Sequence, residues 1–411
     1  MTQGNSTRCS EAISEMPCGQ VDAGTTGRRS SGTRSRVPFV VGILLLCAAQ
    51  PLLLRADDPP RAWHFSAEQL KPFWQSTTMY GETVLFVKHG SDELPRAPLL
   101  FPPTRILSVR SASGEVTYEE GRDYTWEAGS RELVLPAGSR VVCKAPADLR
   151  RQPGSQPFAL THRDGQGEIL FGGGHEYHDM QTMVTYTYDA IWPVAAPTLA
   201  REQLARTLAR LQEKKTLKIA LLGDSISTGC NASGWARVPP YQPPYQDLLV
   251  QNLQAAYGAR VTLDNFAVGG TDTTWGLANI GKVIDAAPDL VILAFGMNDS
   301  AGRSAEEYQA NIRSMMDAVR SARPDTDFIL LATMLGNRDW IALQQELFPQ
   351  YRDKLAALCG PGCALADMTS VWEELLRRKN DWDLTGNGVN HPNDFGHRIY
   401  AQVLSALLIA Q

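Results

Sequence analysis

Two side chains that lie far apart in the sequence could together break an ester bond. Ser225 stands in Gly223-Asp224-Ser225-Ile226-Ser227, directly after the apolar run Leu217–Leu222. His391 stands in a polar stretch before the last apolar segment of the chain. A serine hydroxyl becomes a strong nucleophile when an adjacent base takes its proton, and histidine is the usual base near neutral pH. The pair therefore predicts nucleophilic attack on a carbonyl group.

Two further sequence blocks could donate hydrogen bonds to a negatively charged oxygen. One block ends in Val268-Gly269-Gly270-Thr271, where bare backbone can come close to a ligand, and the other contains Asn298 with its amide side chain. Preorganised N–H groups of this kind stabilise an oxyanion. The N-terminal amides of a helix that follows Ser225 could contribute as well. Nucleophile, oxyanion donors and base are then all present.

The elements that must position these residues follow from the hydrophobic pattern after residue 200. Strands are predicted over Leu217–Leu222, Val261–Phe266, Leu290–Phe295, Phe328–Met334 and Ala364–Met368. Helices are predicted over Glu202–Lys215, Tyr245–Tyr257, Leu277–Ala287, Ala305–Ala322, Val371–Arg378 and Phe395–Ile409. Continuous apolar strands that alternate with helices predict an α/β fold whose parallel sheet is flanked by helices. Ligands of such sheets bind beyond the carboxyl ends of the strands, where the candidate blocks lie.

The four blocks, in this order and at these strand ends, resemble the SGNH (GDSL-type) hydrolase family. The resemblance covers roughly Leu217–Gln411. It implies a flavodoxin-like sheet and a serine esterase mechanism that needs no metal and no organic cofactor. By the same resemblance Ser225 is the nucleophile and His391 the general base. The backbone amides of Ser225 and Gly270 and the side chain of Asn298 are the implied oxyanion donors.

The sequence departs from the family pattern at one position. The family usually has an aspartate three residues before the histidine, and Gly388 stands there in this chain. The third member of a triad orients the imidazole and stabilises its positive charge. Either Asp383, farther up the loop, or a main-chain carbonyl in a Ser–His dyad could take this role.

Two other readings of the same residues do not hold. The segment after Gly223 lacks the lysine and the spacing of a phosphate-binding loop. It also lacks the second glycine of the G-x-S-x-G nucleophile elbow. A metal site at His175, His178 and Asp179 is an alternative to plain loop hydrogen bonds, which explain such residues more often.

Aromatic residues near the candidate site suggest a class of substrate. Trp235 and Tyr241 follow the nucleophile in a proline-rich loop, and Trp382 precedes the base. Flat rings at the mouth of a site suit sugar substrates, although a packed loop uses the same residues.

The first half of the chain has a different pattern. Short strands are predicted over Thr83–Lys88, Arg105–Arg110, Glu132–Leu135, Arg140–Lys144 and Met183–Tyr188, with turn residues between them. This pattern predicts an antiparallel β-sandwich of jelly-roll type over residues 61–195, before a hydrolase domain over residues 200–411. A proline-containing linker is expected over residues 190–200.

Residues 1–60 are predicted to be a leader outside both domains. Arginines precede an apolar run that reaches Leu54, which is typical of an export signal. An uncleaved membrane tether through residues 37–54 is the alternative. In an oxidising compartment Cys359 and Cys363 could form a small disulfide loop, or they could be buried free thiols.

The amino-acid composition limits the classes of binding partner that are expected. The 411 residues contain 39 Lys and Arg against 44 Asp and Glu, a net charge of −5. A weakly acidic chain lacks the basic surface that nucleic acid requires, so nucleic acid is not an expected partner. The sequence as a whole predicts an exported serine esterase. A β-sandwich placed before an SGNH domain is similar to the architecture of certain two-domain carbohydrate esterases, and this resemblance implies O-acetyl groups on carbohydrates as the substrate. The alternatives are a short-chain or lipid-type esterase and a catalytically inactive carbohydrate-binding or surface protein.

Overall fold

The computed structural model describes residues 63–410. The predicted leader and the possible tether at residues 37–54 lie outside these residues. Among residues 63–410, no helix has both the length and the apolar character needed to cross a membrane.

The first half of the described chain is built from short strands, as the sequence predicts. In chain order they are β1 Thr78–Val84, β2 Phe86–Val87, β3 Arg96–Pro98, β4 Arg105–Ser111, β5 Thr117–Tyr118, β6 Thr125–Trp126, β7 Glu132–Val134, β8 Cys143–Lys144, β9 Arg150–Arg151, β10 Glu168–Ile169 and β11 Thr182–Thr187. One sheet has the order β1-β11-β4-β5 and is antiparallel throughout. A second has the order β6-β7-β3-β2-β8, and its β2–β8 pair is parallel. Strands β9 and β10 form a separate antiparallel pair. Antiparallel sheets are thus confirmed, whereas the jelly-roll topology stays a prediction.

The second half contains the predicted parallel sheet. Its strands are β12 Leu217–Gly223, β13 Val261–Asn265, β14 Leu290–Ala294, β15 Asp327–Ala332 and β16 Cys363–Asp367, in the order β13-β12-β14-β15-β16. Every residue of β14 and β15 is buried. This is the reason for their uninterrupted apolar sequences, since helices cover both faces of a parallel sheet.

Helices connect these strands close to the predicted positions. The α-helices are Ala67–Leu70, Glu176–Met180, Ala205–Gln212, Ser225–Thr228, Ser233–Ala236, Tyr245–Tyr257, Thr273–Asn279, Gly281–Ala286, Ala305–Ala322, Leu347–Ala356, Met368–Leu376, Asp381–Leu384 and Asp394–Leu408. The single helix expected over Leu277–Ala287 is instead two short helices that meet at Ile280. Three 3₁₀ turns in the described chain lie at Phe73–Gln75, Pro146–Leu149 and Asp299–Ala301.

The two halves share one hydrophobic core. Buried apolar residues from Leu70 to Leu408 form a continuous cluster. The expected linker takes part in it, because the ring of Trp192 packs on Phe73 with the ring centroids 4.9 Å apart. Buried polar contacts also cross the boundary, among them the ion pair between Lys379 Nζ and Glu82 Oε1 at 2.5 Å. The N-terminal half is therefore packed firmly against the sheet that carries the candidate site.

The two cysteines of the expected loop are free thiols. Cys363 is buried, and its Sγ lies 4.0 Å from that of Cys359. A disulfide is therefore not formed, and the alternative of free thiols describes the structure.

Candidate active site

Ser225 lies where strand β12 ends and a one-turn helix begins. Asp224 caps this helix, since its Oδ1 accepts a hydrogen bond from Ile226 N at 3.0 Å. Gly223 allows the sharp turn: a Cβ atom there would lie 2.6 Å from Ala294 O and from Ser227 Oγ. Ser225 is consequently held at the carboxyl edge of the sheet, as the first residue of this one-turn helix.

His391 lies against this serine. Its Nε2 is 2.8 Å from Ser225 Oγ, and the ring is almost completely buried. Asn387 shapes the loop that carries it, because Asn387 Oδ1 accepts hydrogen bonds from the backbone amides of Val389, Asn390 and His391. The structure thus brings together the two residues that the sequence assigned as nucleophile and base.

The other ring nitrogen of His391 bonds to a residue that the sequence analysis did not single out. His391 Nδ1 is 2.8 Å from Oδ1 of Asn231. Asn231 lies six positions after Ser225 and has a backbone φ of 64°, in the left-handed region that asparagine tolerates better than most residues. The sequence offered one sign of this residue, an asparagine two positions after Gly229, which ends the one-turn helix. Nothing in the local sequence links that asparagine to a histidine 160 residues away.

Asp383 does not reach the imidazole, which corrects the expectation that it could be the third triad member. Its Oδ1 accepts a hydrogen bond from Leu85 N at 2.8 Å, and its Oδ2 accepts one from Asn380 N at 2.9 Å. The carboxylate therefore joins its own helix to the residue between strands β1 and β2 of the N-terminal half. The alternative of a main-chain carbonyl at Nδ1 is replaced as well, because the Asn231 side chain occupies that position.

The environment of His391 favours the neutral ring. Burial, with a smaller contribution from the neighbouring His397, lowers the pKa of His391 to about 3. Within residues 63–410, no carboxylate bonds to the ring to oppose this effect. A neutral imidazole is the form that can accept the proton of Ser225.

Two of the three expected oxyanion donors, Gly270 and Asn298, come from loops that contact each other. Gly270 has a φ of 74°, which suits glycine, and its loop is tied to β12 by the hydrogen bond from Val268 N to Gly223 O at 3.1 Å. Asn298 Nδ2 donates to Thr271 O at 2.7 Å. Both residues thus belong to one cluster of loops at the edge that carries Ser225.

The predicted aromatic residues divide into two groups. Tyr241 is exposed and Trp235 is half-buried, so both lie at the surface of the loop after the nucleophile. Trp382 instead packs against a buried cluster that includes Leu85 and Tyr177. Trp382 thus lies at the junction between the two halves, and its expected role in lining the substrate site stays a prediction.

The candidate metal ligands are engaged in ordinary contacts. His175 Nδ1 pairs with Asp179 Oδ2 at 2.8 Å, and His178 Nε2 is 2.8 Å from Pro239 O. His178 thereby ties the short helix Glu176–Met180 to the loop that carries Tyr241. These contacts describe loop packing, the alternative already considered.

Comparison with known proteins agrees with this geometry. Residues 221–399 match the model of the GDSL-like lipase/acylhydrolase family. These residues are a domain of that family. The domain is accordingly of the carboxylic ester hydrolase class, and its matched range contains Ser225, Asn298 and His391. No curated protein sequence matches the chain significantly.

Solved structures with a similar fold align with about half of the chain. A lipase from a goat rumen metagenome is 18% identical, with 46% of this chain and 96% of that chain covered and a TM-score of 0.38. A two-domain esterase active on acetylated mannans is 21% identical, with 51% and 53% covered and a TM-score of 0.40. A mutant of an acetyl-xylooligosaccharide esterase from Geobacillus is 21% identical, with 47% and 95% covered and a TM-score of 0.40. At TM-scores this low the likenesses decide neither activity nor substrate.

Proposed function

We propose that the protein is a serine esterase that works through an acyl-enzyme formed on Ser225. The hydrogen bond between Ser225 Oγ and His391 Nε2 carries this proposal, since a serine paired with a buried neutral imidazole is an activated nucleophile. Ser225 also lies at the carboxyl edge of a parallel sheet, where ligands of such folds bind.

The reaction follows from this arrangement. Ser225 Oγ attacks the ester carbonyl carbon while His391 Nε2 takes the hydroxyl proton. The negative charge that develops on the carbonyl oxygen is stabilised by the amides of Ser225 and Gly270 and by the side chain of Asn298. The imidazolium returns the proton to the departing alcohol, and a water molecule then hydrolyses the acyl-enzyme by the same steps in reverse.

We propose O-acetyl groups on carbohydrates as the substrate class. Tyr241 and Trp235 support this, because aromatic rings at the surface of the loop after the nucleophile can stack on sugar rings. The export predicted from the basic and apolar leader agrees with it, since polysaccharides must be met outside the cell.

A short-chain or lipid-type esterase is the second candidate. Val268, two positions before Gly270, has 44% of its surface exposed, and so offers apolar surface near the expected oxyanion site. An acyl chain longer than acetate could lie against such a residue.

The test of the esterase proposal is loss of activity in Ser225→Ala. Purified protein should hydrolyse nitrophenyl acetate and react covalently with a serine-directed phosphonate, and Ser225→Ala should do neither. Ser227→Ala is the matched control on the same helical turn, because its hydroxyl bonds to Tyr245 and not to His391. Labelling that persists in Ser225→Ala would contradict the assignment, and a wild-type protein that neither labels nor turns over would be the inactive binding protein.

The substrate is tested by a panel of esters. Acetate release from acetylated xylan and glucomannan is measured beside nitrophenyl esters of increasing chain length. Acetate release supports the carbohydrate proposal. Rising activity toward longer chains without release of acetate from any polymer would replace it with the lipid-type esterase.

A further inference from the structure

One amide side chain connects the imidazole of His391 to the N-terminal half. Asn231 Oδ1 lies 2.8 Å from His391 Nδ1. Asn231 Nδ2 lies 2.9 Å from Gly174 O, 3.2 Å from Gly386 O and 3.3 Å from Gly172 O. The side chain is buried, so these partners are not replaced by bulk water.

The carbonyl groups fix which way the amide points. An NH₂ group donates hydrogen bonds and a carbonyl oxygen accepts them, so Nδ2 must face the three carbonyls and Oδ1 must face the ring. His391 Nδ1 then donates its proton to Oδ1. The lone pair of the neutral ring is left on Nε2, which is the nitrogen that faces Ser225 Oγ.

Two of the three carbonyls belong to a segment of the N-terminal half, Gly172–Gly174. This segment is held in place on both sides. Gly172 N donates to Asn387 O at 3.1 Å, and Gly174 N donates to Glu176 Oε2 at 2.9 Å. The position of the Asn231 amide therefore depends on how the two halves pack.

The same part of the N-terminal half fills the space beside the catalytic loop. A Cβ atom on Gly388 would lie 2.1 Å from Tyr177 Oη and 2.7 Å from Leu170 O. Gly388 also has a φ of 79°, which disfavours other residues. The loop before His391 consequently has no room for a side chain of its own at this position.

We propose that Asn231 is the positioning residue of His391 and that the carbonyls of Gly172 and Gly174 make the N-terminal half part of the catalytic machinery. This inference rests on the proposed esterase function. It assigns the N-terminal half a role in every turnover, through the tautomer and orientation of the imidazole.

The role of Asn231 is tested with Asn231→Gly, which suits the positive φ and removes only the side chain. Loss of the charged orienting residue of a protease triad costs roughly 10⁴ in kcat. Asn231 is uncharged, so we expect a smaller fall in kcat, on the order of 10²-fold, with KM little changed. Nitrogen-15 NMR of labelled histidine should show the Nδ1–H tautomer of His391 in the wild type and a mixture of tautomers in Asn231→Gly. An unchanged kcat and an unchanged tautomer would overturn the proposal.

The role of the N-terminal half is tested with a matched pair of glycine variants. A Cβ on Gly172 would lie 3.1 Å from Tyr177 Cδ2, whereas one on Gly173 has nothing nearer than 3.4 Å. Gly172→Val crowds the side chains of Glu176 and Tyr177, so we expect it to shift the segment and lower kcat several-fold, whereas Gly173→Val should leave kcat near the wild-type value. In the Asn231→Gly background, Gly172→Val should have no further effect on kcat, because it acts through Asn231. Equal effects in both backgrounds would contradict the proposal.

A second variant and a readout that needs no substrate complete the test. If Gly172→Val does not fold, Glu176→Ala replaces it, since this exposed side chain holds Gly174 N. The histidine tautomer is read without any substrate, so it tests the positioning role even if the protein hydrolyses no ester. Failure of the esterase proposal is seen separately, as a wild-type protein that a phosphonate does not label.

Discussion

At the scale of single residues, the neutral amide beside His391 sets this site apart from one with a carboxylate. A carboxylate would favour the charged imidazolium and raise the pKa of the ring. Asn231 fixes the orientation of the ring without adding charge. The unprotonated imidazole is therefore the stable form of His391 over a wide range of pH.

The pH dependence of activity should show this. Burial lowers the pKa of His391 from 6.5 to about 3, so the ring stays unprotonated well below pH 6.5. Since kcat/KM reports the ionisation of the free enzyme, its acid limb should lie well below that value. An acid limb near 6.5 would show that the ring is not shielded as the structure indicates.

Other ionisable groups near the ring must be separated from this effect. His397 lies on the helix after the loop, and burial lowers its own pKa to about 4. Asp394 and Arg398 lie on the same helix. Asp224, beside the nucleophile, has its pKa raised to about 7 by burial. If the acid limb of the kcat/KM profile reports His391, the limb should remain in Asp224→Asn.

Stability must be followed as well. His391 and His397 take up protons more readily in the unfolded chain than in the folded one, so the free energy of unfolding should fall as the pH drops below 6.5. Thermal unfolding must therefore be recorded at each pH.

At the scale of elements, the short helix Asp381–Leu384 joins the two halves. The carboxylate of Asp383 accepts hydrogen bonds from Leu85 N of the N-terminal half and from Asn380 N at the start of its own helix. An aspartate placed in this way has a structural role, although its position in the sequence suggested a catalytic one.

Asp383→Asn should therefore lower stability and leave chemistry nearly intact. The new amide can accept only one of the two hydrogen bonds, so we expect a loss of about 1–3 kcal/mol in the free energy of unfolding. kcat at a temperature where the variant is folded should stay close to the wild-type value. Denaturant unfolding and steady-state kinetics check both, with the exposed Asp325→Asn as control. A fall of roughly 10⁴ in kcat at unchanged stability would restore Asp383 as a triad member.

At the scale of the whole molecule, the junction between the halves contains a fully buried ion pair. Lys379 Nζ lies 2.5 Å from Glu82 Oε1, and both side chains are inaccessible to solvent. Glu82 also accepts hydrogen bonds from Leu100 N and from Tyr186 Oη. Such a network tolerates the loss of a partner poorly, because a buried charge is left without compensation.

Lys379→Met should accordingly be strongly destabilising. Breaking a buried pair from one side typically costs about 3–5 kcal/mol. The matched control is Arg96→Met, which breaks the exposed pair between Arg96 and Glu132 and should change little. Denaturant unfolding monitored by tryptophan fluorescence measures the free energy of unfolding of both variants. Similar small effects of the two variants would show that the junction does not depend on this pair.

The local sequence was sufficient to predict the sheet and the two central residues of the site. Apolar runs such as Leu290–Ala294 report burial on both faces, and parallel strands bring their carboxyl ends to one edge. Ser225 lies at the end of such a strand, and His391 lies in the loop before the last helix. Their meeting at 2.8 Å follows from strand and helix order, which hydrophobic periodicity reveals.

The third partner of the site was decided by tertiary packing alone. Asp383 and Asn231 are both polar residues near the catalytic blocks, and the sequence analysis considered only Asp383, the one closer to His391, beside a main-chain carbonyl. Which of them reaches the ring depends on where Gly172, Gly174 and Tyr177 of the N-terminal half lie against the catalytic loops. Contacts between residues 57 to 160 positions apart are set by the packing of two halves around a shared core, and no periodicity or motif in the local sequence encodes them.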